Sequence, residues 1–372
     1  MSSIILPPNN RIGAIAPILL IITIFWIYPV ADVGDPRFSA YYRFGMAAVA
    51  FLSVAIWNVN KWAAMFILLA GVSSIFPFST KYSSEAFRAV MIGCLWFYMV
   101  SQIPRDKTKY LLDAICIIAL LNVGMLISQY FGFDPIFKPS KISYGTPAVG
   151  FLSNKNEVSA ILAFCLPAFF RSKWSMLTPL VFVGLSISSS TGGALAAVAA
   201  TTGYFVIRDG RRFLINDWLL LVALYAWLAV FLGFIDSPMS VFKSKPIAAT
   251  DAYGYSRFEA WRRGFELYKQ HWLLGAGIGH WKIVFKAVNI QGYWFKHAHN
   301  EFIQAGFEMG ILVAPIVIGY LVGVARKLRT GSILLPAAAL VAILTNSMVN
   351  FPFHVAQTAI VAVTWMAIME AK

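Results

Sequence analysis

"HAHNEFIQAGFEMGILVAPIVIGYLV", residues 297–322, holds the two features that decide the fold. Its second half is an apolar run, and its first half sets His297, His299, Asn300, Glu301 and Glu308 where that run begins. Apolar runs of roughly 17 to 25 residues are long enough to cross a bilayer as helices. Such runs recur along all 372 residues, of which 59% are hydrophobic and only 12% charged. Ordinary soluble domains carry about 25% charged residues. The sequence therefore predicts an all-α polytopic membrane protein, a single integral membrane domain over 1–372.

About 12 transmembrane helices are expected, at roughly 12–28, 38–57, 61–77, 84–101, 109–131, 151–170, 174–188, 190–207, 216–235, 301–325, 332–348 and 353–370. The one long hydrophilic stretch, about 236–300, is expected as an extracytoplasmic loop containing amphipathic helices. No soluble domain, tandem repeat or low-complexity tail is evident. The first apolar segment has little positive charge before it and no small-residue cleavage site, so it is expected to be a retained span.

Lysine and arginine in the short loops set the orientation. One set of turns carries Lys61, Arg105, Lys107, Lys109, Arg171, Lys173, Arg208, Arg211, Arg212, Arg326, Lys327 and Arg329. The alternating turns carry only Arg37, Lys81, Lys138 and Lys141. The richer set belongs in the cytoplasm, with both termini, and the 236–300 loop lies outside. The net charge of +14 is then partly a topology signal and partly a cationic outer surface suited to an anionic ligand. Nucleic acid is a poor partner, because the basic residues flank the spans. Cys94, Cys116 and Cys165 fall within spans and read as small buried hydrophobes, not as disulfides or metal ligands.

All five histidines fall on the outer side: His271, His280, His297 and His299 in the long loop, and His354 at the outer end of the last span. Within the loop, "RFEAWRRGFELYKQHW" (257–272) reads as an amphipathic helix. Trp261, Phe265, Tyr268 and Trp272 share one face with Phe258 nearby, and Glu259, Arg263, Glu266, Lys269 and Gln270 take the other. Arg257 projects onto the aromatic side. There it either snorkels to solvent or grips phosphate with its planar fork. In "LLGAGIGHW", Gly275, Gly277 and Gly279 suit a tight turn or a close backbone approach. No strand precedes them, so a nucleotide loop is a poor reading.

Glu301 and Glu308, seven residues apart, share a helical face. Glu308 should lie within the bilayer thickness, where a carboxylate is usually paired or neutral. Gly306 and Gly310 form a GxxxG, which permits close helix approach. His297 and His299 could form a metal pair with Glu301, but residues two apart on a helix point about 200° apart, and no metal is expected. Further charges gather toward the outer side, namely Arg43, Glu85, Arg88, Lys155 and Glu157, with the amides of Asn154 and Asn156. Each reads singly as a structural ion pair or hydrogen bond. Collectively they outline a polar cavity open to the outer face.

The motif order "GFLSNKNEVSAILAFCLP", "SISSSTGGALAA", "SRFEAW", "LLGAGIGHW", "HAHNEFIQAGFEMGI" and "NSMVNFPFH" resembles the O-antigen ligase and polymerase superfamily of bacterial envelope glycosyltransferases. That superfamily also includes pilin oligosaccharyltransferases. The resemblance covers roughly 150–360. Its most specific element is His299-Asn300 followed by Gly310, and Arg257 four before Trp261 comes next. Two departures stand out. Val313 takes a position often small or aromatic, and Ser190-Thr191-Gly192-Gly193 replaces a turn that often carries an arginine.

The resemblance implies a GT-C-like fold and a metal-independent, inverting glycosyltransferase of the bacterial inner membrane, needing no cofactor. Its donor would be a glycan on undecaprenyl diphosphate, and part of its active site would lie in the 236–300 periplasmic loop. The acceptor would be a hydroxyl on another glycan, on lipid A core, or on a pilin serine. A polysaccharide or O-antigen polymerase is expected before an O-antigen ligase or a pilin oligosaccharyltransferase. His299 would be the general base, with Glu301 or Glu308 orienting its imidazole and Asn300 and His297 in support. Arg257 would hold the diphosphate, with Arg88, Arg43 or Lys155 as the second cation, supported by Asn154 and Asn156. The rival of another class is a transporter of lipid-linked glycan. Against it stand the lack of an internal repeat and the clustering of charge on one side.

Overall fold

A computed structural model describes residues 56–73, 80–133, 148–152, 154–170, 173–209, 222–229, 257–282, 297–329 and 333–371. Among them every regular element is helical. In chain order these are α1 (Lys61–Ser73), α2 (Thr80–Ser101), α3 (Thr108–Tyr130), α4 (Lys155–Phe169), α5 (Thr178–Ser188), α6 (Thr191–Asp209), α7 (Arg257–Tyr268), α8 (Glu301–Met309), α9 (Val313–Leu328), α10 (Leu334–Ser347) and α11 (Ala356–Ile368). Residues 222–229 are also helical. The expected span at 12–28 and nearly all of that at 38–57 lie outside the described residues.

Among the described residues one helical stretch, Arg105–Tyr130, is long and apolar enough to cross a membrane. The apolar helices Lys61–Ser73, Ala89–Ser101, Ser175–Ser188, Leu334–Ser347 and Ala356–Ile368 are shorter, at 10–17 residues. The expected span at 301–325 is two helices. Gly310 takes a φ of 75° and ends α8, and the chain re-enters helix at Val313. The cause is local, since a residue in that region of φ/ψ space cannot continue a right-handed helix.

Helix α4 is the centre of the core. Val158 to Phe169 are all buried on it, and α3, α5, α6, α10 and α11 pack around it. Inside this shell Trp365 on α11 donates its indole N–H to the Phe164 carbonyl at 2.8 Å. Cys116 and Cys165 are buried in the same core. At one end of the bundle Glu370 pairs with Lys327 and accepts from Asn60 at 2.9 Å, which ties α9, α11 and the start of α1. At the other end the start of α4, the α5–α6 turn, the end of α10 and the start of α11 come together with α8. The polar residues singled out in the sequence gather there.

Candidate active site at the histidine turn

Asn300 starts α8 as an N-cap, its side-chain oxygen accepting from the N–H groups of Phe302 and Ile303, both at 3.0 Å. Its amide also donates to the Met348 carbonyl at 2.9 Å, fastening the turn to the end of α10. His299, just before it, has a φ of 54°, a left-handed conformation uncommon for a residue with a side chain. The peptide before His299 is held on both sides. Trp261 on α7 donates to the Ala298 carbonyl at 2.6 Å, and Gln304 accepts from the Ala298 N–H at 3.0 Å. His297 stacks on Phe351 with ring centroids 4.4 Å apart, and His299 meets the same ring edge-on at 4.8 Å.

Behind the turn runs a buried polar stripe of α8: Glu301, Gln304 and Glu308, at i, i+3 and i+7. Glu301 accepts the Phe353 N–H at 2.6 Å and pairs with Nδ1 of His354 at 3.1 Å. The imidazole that Glu301 orients is thus that of His354, in the short 3-10 turn before α11. Burial opposes a proton on His354, but the charge of Glu301 and its hydrogen bond, with help from Glu308, outweigh it and raise the imidazole to about 9. Gln304 joins the stripe, its Nε2 lying 2.8 Å from Nε2 of His354 and 3.1 Å from Oε1 of Glu308.

Glu308, only 3% exposed, turns to the glycine loop. It accepts the Gly279 N–H at 2.8 Å and the Trp281 N–H at 3.2 Å. The loop is laid against the end of α8 by main-chain bonds as well. Ala276 N–H reaches the Phe307 carbonyl at 2.8 Å, Gly277 N–H the Glu308 carbonyl at 3.0 Å, and Ile311 N–H the Trp272 carbonyl at 2.8 Å. A Cβ on Gly275 would overlap the Glu308 main chain, and one on Gly310 the Leu273 carbonyl. The close backbone approach expected for "LLGAGIGHW" is what is found. His280 is wholly buried there with Nδ1 3.0 Å from the Ile278 carbonyl, and burial lowers its affinity for a proton.

The GxxxG reading needs correction. A Cβ on Gly306 would meet nothing within 4 Å among the described residues, so Gly306 makes no close helix contact with them, and Gly310 caps α8. The expected aromatic face of α7 is also divided. Trp261 turns inward beside Gly264, which lies directly on Trp281, while Phe258 and Phe265 are 54% and 58% exposed. Gly264 supplies the close contact, so the buried stripe runs through it and not through Phe265.

The residues expected to help hold the diphosphate fall in three places. Lys155, Asn154 and Asn156 form a second cluster at the start of α4. Asn154 caps the helix, Lys155 donates to the Ser189 carbonyl at 2.9 Å, and Asn156 accepts from the Ser190 hydroxyl at 2.9 Å. This cluster and the histidine turn are bridged by adjacent residues, because Asn350 lies against Gly192 and Phe351 lies against both histidines. Arg257 opens α7, one turn before Trp261, and Arg88 lies within α2, but the side chains of both are outside the described residues, as is all of Arg43.

Sequence reasoning did not place His354, Gln304 or Phe351 in the site. Nor did it single out Asn346, Ser347 and Asn350 at the end of α10, at 0%, 2% and 5% exposure, whose side chains have no hydrogen-bond partner among the described residues. The spacing of Gln304 between the two glutamates was the available signal. Apart from these clusters, a groove of about 920 Å³ runs between α3, α5, α6 and residues 222–229, lined mainly by apolar side chains such as Ile127, Phe182, Ile187 and Tyr204, with Arg208 on its wall.

Comparison with known proteins gives one family. None of the curated proteins compared matches the chain. The family model described as O-antigen ligase matches residues 175–318, a stretch that includes α7, the glycine loop, the histidine turn and α8. Proteins of that family lie in the bacterial inner membrane and are associated with glycan transfer from lipid-linked substrates to acceptors. Residues 175–318 thus match the O-antigen ligase family, in agreement with the ligase and polymerase superfamily that the motifs resemble.

Proposed function

We propose that the chain is a polytopic inner-membrane glycosyltransferase of about 12 spans, with both termini cytoplasmic and the histidine turn facing the periplasm. It moves a glycan from undecaprenyl diphosphate to an acceptor hydroxyl on another glycan, as a polymerase does. The observation that carries this reading is the histidine turn itself: two imidazoles on a clamped, left-handed turn, backed by a buried carboxylate stripe, inside the stretch that matches the O-antigen ligase family.

In the reaction His299 takes the proton of the acceptor hydroxyl as its oxygen bonds to the anomeric carbon. The bond from that carbon to the phosphate oxygen breaks on the opposite face, so configuration inverts and the electron pair leaves on the diphosphate. Arg257 and a second cation, for which Lys155, Arg88 and Arg43 are the candidates, neutralise that charge without a metal ion. Arg257→Lys should then impair transfer, since an ammonium lacks the planar fork. Glu301 and Glu308 act through their neighbours, one orienting His354 and the other fixing the glycine loop. The apolar groove suits the polyprenyl tail.

The test is release of undecaprenyl diphosphate by purified protein in liposomes, with lipid-linked glycan and acceptor supplied and metal chelated. Release by wild type and its loss in His299→Ala is expected, with the product ladder separating polymerase from ligase. Movement of intact lipid-linked glycan between leaflets with no release would replace this reading by a transporter.

A further inference from the structure

The neighbours of Gln304 decide which way its amide points. Oε1 accepts the Ala298 N–H at 3.0 Å, and Nε2 donates to Glu308 at 3.1 Å. The second hydrogen on Nε2 then meets Nε2 of His354 at 2.8 Å, which makes that ring nitrogen an acceptor. In the neutral ring the single proton then lies on Nδ1, facing Glu301. An imidazolium carries N–H on both nitrogens, and two N–H groups repel at this separation. On taking a second proton, His354 requires Gln304 to turn its carbonyl to the ring. The Ala298 N–H then loses its acceptor.

We infer that His354 is a positioning residue: in its neutral form it clamps the His297–His299 turn through Gln304, and on protonation it releases the turn. Among the described residues four groups face this imidazole or act on its charge. Glu301 on its Nδ1 and Glu308 beyond Gln304 favour the proton, Lys282 opposes it, and the ring of His297 lies with its centroid 4.9 Å away. Because Glu301 raises the imidazole to about 9, the changeover falls within an accessible range of pH. Relevance to catalysis rests on the glycan-transfer reading above, whereas the clamp itself does not.

The experiment uses the full chain in liposomes. Hydrogen exchange of a peptide covering Ala298 is followed from about pH 6 to about pH 10, with the intrinsic pH dependence removed, beside release of undecaprenyl diphosphate. Wild-type protection of that segment should rise with pH by roughly tenfold, the worth of one hydrogen bond. His354→Asn keeps an N–H for Glu301 but cannot titrate, and its protection should not change with pH. His354→Ala should exchange fast throughout. The turnover number should climb with the protection at an unchanged KM for the lipid-linked donor, and His354→Asn should lose one proton from its pH profile. Protection that is independent of pH in wild type, or still rises in His354→Asn, overturns the clamp. Rising protection without transfer would reject the transferase reading and leave the clamp standing. Transfer with flat protection would do the reverse.

Discussion

Gly310 lies so close to Leu273 that any β-carbon on it would overlap the Leu273 carbonyl. Two residues earlier in α8, Glu308 meets Gly275 in the same way. The glycine loop and the end of α8 therefore form one backbone-to-backbone unit, closed by main-chain hydrogen bonds and by the Glu308 carboxylate. This unit sets where α8 ends, and hence where its polar stripe stands relative to the histidine turn.

Substitution of these glycines should follow their surroundings and not their number. Gly310 and Gly275 have φ of 75° and 78°, where a side chain costs roughly 1–3 kcal/mol before any overlap is counted. Gly310→Ala and Gly275→Ala should each lower the melting temperature of the detergent-solubilised protein markedly. Gly306 has no neighbour within Cβ contact among the described residues and lies within a helix, so Gly306→Ala should hold or raise stability, by up to about 1 kcal/mol. Equal loss at all three would show that Gly306 has a close neighbour after all.

Glu308 should behave as a structural residue. Its two oxygens accept from Gly279, Trp281 and Gln304, and an amide in its place offers one acceptor oxygen and sets an NH2 against main-chain donors. Glu308→Gln is expected to cost about 1–3 kcal/mol of stability and to speed proteolysis within 273–282. Selective loss of transfer with unchanged unfolding would instead assign Glu308 to the chemistry.

The sequence made the local parts of this site legible. Glu301 and Glu308 share a face by their spacing, and three alternating glycines foretell a close backbone approach. Each depends on neighbours within a few turns of chain. The pairing of Glu301 with His354 joins residues 53 apart, and Phe351 reaches both histidines from the far side of α9 and α10. Periodicity carries no information across such separations. The division of 301–325 into two helices was missed for another reason. Hydropathy stays high through Gly310, whereas the break comes from a left-handed backbone that hydropathy does not record.

The Glu301–His354 pair should make stability depend on pH with a definite sign. The folded imidazole titrates near 9, above its ordinary value of 6.5. Its contribution is therefore complete below about pH 6.5 and fades as pH rises through about 9. With the His354 side chain 27% exposed, screening reduces it to the order of 2 kcal/mol. Wild type should melt above Glu301→Gln at pH 6, and the two should converge beyond pH 9. The same rise in pH tightens the hydrogen bond from Ala298 to Gln304, so the turn becomes locally better ordered while the ion pair weakens. A constant difference between the two proteins from pH 6 to pH 10 would remove the pair as its source.

Asn346 offers the clearest separation of stability from activity. Its amide is fully buried at the end of α10 with neither its nitrogen nor its oxygen hydrogen-bonded among the described residues, and Ser347 and Asn350 beside it are alike. A buried polar group without a partner costs about 1–3 kcal/mol, so a chain selected for stability alone would carry an apolar residue of that volume here. Asn346→Leu should therefore raise the melting temperature. Asn350 touches the turn that starts α6, and Phe351 touches the histidines, so these amides lie between the two polar clusters. If the cost is kept for function, the same Asn346→Leu protein should release undecaprenyl diphosphate more slowly while folding better. A variant more stable and equally active would make the amide a tolerated defect. One less stable would mean that α10 depends on Asn346 for packing.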